Sequence, residues 1–136
     1  MTEAYGATSG TSERESRPMM EPLMHFRLRD EVDRLRTEEP WREGDRNSRT
    51  LAKADDFRVL LSVLRDGAAL EEVDGDARVS IQLLDGRATV ELEHAKAELT
   101  ADEVAVVDAG RPWRLRAVSD CAVLVTLAKP REKARV

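Results

Sequence analysis

A chain of 136 residues is the size of one domain, and 41% apolar residues are enough to give it a core. Aromatic residues make up only 4%, so that core must be built from Val, Leu, Ile and Ala. A net charge of −5, with the two signs interspersed, excludes the clustered positive field that nucleic acid or an anionic membrane surface requires.

Residues 1–22 are rich in Ser, Thr, Gly, Glu and Arg, show no periodicity, and read as a disordered tail. This N-terminus lacks the apolar stretch of a signal peptide. No segment reaches the roughly 18 apolar residues of a membrane helix. Cys121 has no second cysteine for an intrachain disulfide. Together these features lead us to expect a cytoplasmic protein. Residues 23–49 read as a short helix and an approach segment. Leu28, Val32 and Leu35 fall on one apolar stripe, and Asp30, Glu31, Asp33, Arg34 and Arg36 lie off it. Pro40 is expected to stop the helix, and Trp41 to plug onto the main body. Glu43 to Arg49 is polar and loop-like.

From Thr50 the period changes to two, and residues 50–129 read as a barrel or sandwich. Phe57, Val59, Leu61 and Val63 alternate with Arg58, Leu60, Ser62 and Leu64. Val79, Ile81 and Leu83 alternate with Ser80, Gln82 and Leu84. Ala88, Val90 and Leu92 alternate with Thr89, Glu91 and Glu93, and a hairpin tip is expected around His94 to Lys96. Val104 to Val107, Trp113 to Ala117 and Cys121 to Ala128 complete the set. Asp66-Gly67, Asp85-Gly86, Ala109-Gly110 and Ser119-Asp120 supply the turns. Many short strands without intervening helices define an all-β domain, not a parallel α/β sheet. Residues 130–136 are a charged tail.

Two spacings sharpen this reading. Gly67 and Gly86 bracket a stretch with the length of the first cupin motif, G-x5-H-x-H-x3-E-x6-G, whose ligand slots hold Val73, Gly75 and Val79. Asp102 to Ala117 has the length of the companion pattern G-x5-P-x-G-x2-H-x3-N, with Trp113 in the ligand slot. Leu84 to Val90 is similar to the cupin hairpin L-x-G-x-x-x-V, and Asp108 to Trp113 to P-A-G-x-P-H. The chain therefore resembles the cupin superfamily, in the form of a small single-domain bacterial-type cupin lacking the metal-binding histidines. The resemblance covers about Asp55 to Ala128. It implies a jelly-roll β-barrel preceded by a short helix, and a homodimer. The edges of an open sheet give dimerisation a physical motive, and Leu60, Leu64 and Leu84, apolar on the outward parity, are candidates for the interface.

The slot residues speak against metal chemistry. Val73 and Val79 have no donor atoms, Gly75 has only backbone, and the indole of Trp113 donates but has no lone pair to give. His25 and His94 occupy no slot, so we expect no metal and no cofactor. If the slots point inward, Val79, Ile81, Leu83, Val90, Trp113 and Leu115 make an apolar wall. That wall is either a packed core or a dry pocket for a small apolar or aromatic ligand. The candidate ligand residues are Val73, Val79, Ile81, Trp113 and Leu115, with Arg65 and Arg78 at the mouth. Arginines there suit a carboxylate or phosphate, although Arg65, Arg78 and Arg114 can equally pair with some of the 27 acidic residues at the surface. Glu71, Glu72, Asp74 and Asp76 read as a solvated acidic loop. Cys121 lies in an apolar run and reads as an inert core thiol. The function expected is a metal-free small-molecule-binding or regulatory protein. The alternatives are a metal-independent isomerase or cyclase, and a scaffold with a filled barrel.

Overall fold

The computed structural model describes residues 21–72 and 76–129. Most of the tail expected over 1–22, and all of that over 130–136, lies outside the described residues.

The first helix, α1 (Leu28–Leu35), forms where the apolar stripe places it. Val32 and Leu35 are fully buried, Leu28 packs beside them, and Asp30 and Glu31 in the first turn suit the positive end of the helix dipole. Pro40 does not end this helix, which has already stopped at Leu35. It sits in the first turn of a second short helix, α2 (Glu39–Glu43), where a missing N–H costs nothing. Trp41 of α2 is buried, as expected.

Nine strands follow among the described residues: β1 (Arg46–Ala54), β2 (Phe57–Leu64), β3 (Ala69–Glu72), β4 (Arg78–Asp85), β5 (Ala88–Glu91), β6 (Lys96–Leu99), β7 (Val104–Val107), β8 (Trp113–Ala117) and β9 (Cys121–Ala128). They form a five-stranded sheet, β1-β2-β9-β4-β7, and a four-stranded sheet, β3-β8-β5-β6, with every neighbouring pair antiparallel. This is the all-β jelly roll the period-two pattern predicts. Two details depart from the reading. β1 begins at Arg46, inside the stretch whose polarity suggests a loop. Glu71 and Glu72 belong to β3 and not to an acidic loop.

The two sheets enclose one core, which includes Val79, Ile81, Leu83, Val90, Leu115 and Val123. A second cluster lies on the outer face of the five-stranded sheet, where Val32, Leu35 and Trp41 cover Leu61, Val63 and Ala122. Burial on both faces explains a correction. Leu60 and Leu64 point into the main core, Leu64 with no exposure, so neither lines an outer interface. Leu61 and Val63 point outward beneath the helices. With apolar residues on both faces of β2, the alternation has no sign to read. Leu84 does lie outside, at a bulge in β4, and packs against the second cluster.

The turn positions account for the glycine spacing. Gly67, Gly86 and Gly110 all adopt positive φ, at 91°, 84° and 81°. Asp102, at the fourth glycine slot, adopts φ 72°, a conformation that Asp tolerates better than most residues. At Gly86 space is limiting as well. A Cβ there would lie 2.2 Å from the Asp120 carbonyl oxygen and 2.6 Å from the Cys121 Cβ.

Candidate functional site

The slot residues within the described part meet at one end of the barrel. Trp113 opens β8 opposite Glu72 of β3, and Val79 lies between Val107 and Leu127. Strand alternation turns Trp113, Leu115, Val79 and Ile81 inward into the main core. Val73, Gly75 and Asp74 lie outside the described residues. The two connections at this end are tied together, because Arg78 Nε donates to Asp108 Oδ1 at 2.9 Å. The Ala109 backbone N–H and then Arg78 hold the Asp108 carboxyl below its usual range.

Below this end the barrel is filled. A cavity wide enough for water would leave its walls accessible, yet Ile81, Leu83 and Leu115 are 0% exposed and Val79 and Val90 only 1%. Trp113, 6% exposed, lies at this end, and its Nε1 is buried with no hydrogen-bond acceptor among the described residues. Such a group costs about 1–3 kcal/mol.

The candidate arginines are not brought together. Arg78 pairs with Ala128 at one end of β9, and Leu64, just before Arg65, pairs with Cys121 at the other. Seven residue steps at about 3.3 Å put them roughly 23 Å apart, too far to clamp one ligand. Arg65 is also engaged: its guanidinium lies 3.8 Å from the Trp41 ring centroid, and its Nη2 donates to the Trp41 carbonyl at 2.9 Å. Arg114 points outward, 3.6 Å from Glu71. Asp76 is exposed.

A barrel metal does not fit the residues in its place. Val79 offers no donor atom, and Trp113 offers an N–H where a metal needs a lone pair. Among the described residues, no three His, Cys, Asp or Glu side chains gather as a ligand set. Cys121 is fully buried, and desolvation pushes its thiol up to about 12.

One polar cluster escaped the sequence reading. Arg49 lies under the helices with its side chain 0% exposed, 3.2 Å from Glu38 and 3.7 Å from the buried Glu31. Asn47 beside it donates to the Leu35 carbonyl and to Glu38, each at 2.9 Å. On the far side of α1, Arg36 grips Asp85 through two hydrogen bonds of 2.9 and 3.0 Å, and Arg29 adds a third at 3.1 Å. These contacts dock the helices onto the sheet. The period-two position of Arg49 was the available signal, but a charged residue at that position ordinarily marks a wet face.

No family model matches the sequence, and no curated protein matches it. Solved structures do. A cupin superfamily protein from Desulfitobacterium hafniense superposes with a TM-score of 0.60 at 20% identity, over 65% of this chain and 81% of its own. A cupin-2 domain protein from Shewanella frigidimarina gives 0.57 at 17%, over 78% and 94%. A conserved protein of unknown function from Streptococcus pyogenes gives 0.61 at 22%, over 66% and 79%. The chain therefore has the cupin fold. No helix among the described residues is long and apolar enough to cross a membrane.

Proposed function

We propose that this protein is a metal-free cupin-like small-molecule-binding or regulatory protein, cytoplasmic and homodimeric, whose ligand meets the barrel at the Trp113 end. The observation that supports the reading is the indole N–H of Trp113. It is buried without an acceptor among the described residues, at the position where the resemblance puts a metal-binding histidine. A ligand with a carbonyl, carboxylate or ether oxygen would satisfy that donor, while its apolar or aromatic body rests on the side chains around it. In this reading the filled depth of the barrel keeps the ligand to this end, beside Val79 and with Arg78 at the rim. Ile81 and Leu115 then act as the floor, and Arg65 at the far end takes no part.

The test is native mass spectrometry of the gently purified protein and of Trp113→Phe, which keeps an aromatic ring and removes the N–H. Expected is an organic adduct on the wild type that is lost or depleted in a folded variant. An adduct-free wild type would favour the second reading, a scaffold with a filled barrel, for which the complete burial of Ile81, Leu83 and Leu115 speaks.

A further inference from the structure

Two cations stand at the Trp113 end of the barrel, on the core side of the five-stranded sheet. One row of paired positions crosses all five strands there: Lys53, Arg58, Leu127, Val79 and Val107. Leu127, Val79 and Val107 are buried in the main core together with Trp113. Arg58 shares their side, because Leu60, two residues on, packs against the same core. Lys53 reaches that side through a bulge. The register of β1 shifts between Thr50 and Ala52, so that Leu51 packs into the second cluster and Ala52 pairs with the outward Val59. Strict alternation from Leu51 would turn Lys53 outward, and the extra residue turns it inward, opposite Arg58. Both side chains are half-buried. Among the described residues neither forms an ion pair or a side-chain hydrogen bond, in a chain with 27 acidic residues. Like charges directly opposite on neighbouring strands repel one another.

We infer that Lys53 and Arg58 form an anion site that receives the acid group of the ligand, a monocarboxylic acid with an apolar or aromatic body. The inference rests on the ligand reading above and adds the ligand's charge to it. A local conflict between like charges, set up by a bulge, fits a site whose third member is a bound anion. The planar fork of an arginine beside the point charge of a lysine suits a carboxylate. The row runs on from Arg58 to Leu127 and Val79, about 5 and 10 Å away at the strand spacing. The body attached to the acid therefore meets an apolar surface on the side that leads into the core. Asp55 and Asp56, in the turn between β1 and β2, limit the charge, because they oppose a dianion such as phosphate more than a monoanion. Arg58 thus takes the role that the sequence suggests for Arg65.

The experiment is a thermal melt of the full chain and of Lys53→Met, Arg58→Met and Arg87→Met. Arg87 is the control, an exposed arginine beside the Gly86 turn at the other end of the barrel. Each protein is melted alone and with benzoate, benzamide or inorganic phosphate, at about 10 mM and constant ionic strength, a concentration that fills most of a site of about 1 mM affinity. Expected with benzoate is a rise in Tm of about 5 °C in the wild type and in Arg87→Met. Benzamide and phosphate should give less than about 1 °C, and the two site variants should not respond. Without a probe the site variants should melt no lower than the wild type, since each relieves the repulsion, so a lost response cannot come from misfolding. A benzoate response that persists in both site variants, or an equal response to benzamide, would overturn the anion site and leave the Trp113 reading standing. An equal response to phosphate would overturn the carboxylate assignment. No response to any probe would overturn the site, and the Trp113 reading would then stand or fall on the native adduct alone.

Discussion

Replacing Arg49 by Met tests how the helices are fixed to the sheet. The side chain is 0% exposed and lies 3.7 Å from Glu31, whose own side chain is 7% exposed, and 3.2 Å from Glu38, at 26%. Met fills most of the volume and removes the charge. Glu38 can then turn toward water, but the buried Glu31 loses its buried partner and keeps only the half-exposed Arg34, 3.7 Å away. Breaking a buried pair from one side costs about 3–5 kcal/mol. For a domain of this size each kcal/mol lowers Tm by about 4 °C, so a fall of roughly 12–20 °C is expected in a thermal melt. In the double variant Arg49→Met/Glu31→Leu the poorly compensated buried charge is gone, and most of the loss should return. A fall of less than about 4 °C in the single variant, or no recovery in the double, would refute the reasoning.

Gly86→Ala should lower stability by about 3 kcal/mol or more in urea unfolding, because positive φ and the Asp120 carbonyl both oppose a Cβ. Gly110→Ala, with φ 81° but nothing within 4 Å of the new atom, should cost only about 1 kcal/mol. Burial raises the Asp85 carboxyl, but hydrogen bonds from Arg36 and Arg29 outweigh it and hold the group below 3.8. Its contribution is therefore full above the ordinary value and lost as pH falls through the depressed one. Asp85→Asn should flatten the acid limb of the stability profile below about pH 4. Cys121 should resist a disulfide reagent in the native protein at pH 8 and react on unfolding, since its thiol lies near 12.

Much of the fold was legible because local chemistry and tertiary structure agree. The stripe Leu28–Val32–Leu35 has one face to bury, and the Asp-Gly turns need the positive φ that Gly67 and Gly86 adopt. The reading failed where burial is two-sided or polar. β2 is apolar on both faces, so Leu60 and Leu64 could not be told from Leu61 and Val63. Arg49 looks like surface until Glu31 and Glu38 arrive from the helices. The inward set Val79, Ile81, Trp113 and Leu115 was legible from the ligand slots and alternation. The placement of Arg65 and Arg78 at opposite ends of a sheet was not, because register depends on pairing partners that spacing does not specify.

The central claim is that a cupin barrel works here with Trp113 in the place of a metal ligand. Elemental analysis of the purified protein tests it most directly. Expected is no stoichiometric zinc, iron, manganese or nickel, with added metal leaving the melting temperature unchanged. One equivalent of bound metal per chain, lost together with stability in Trp113 variants, would contradict it.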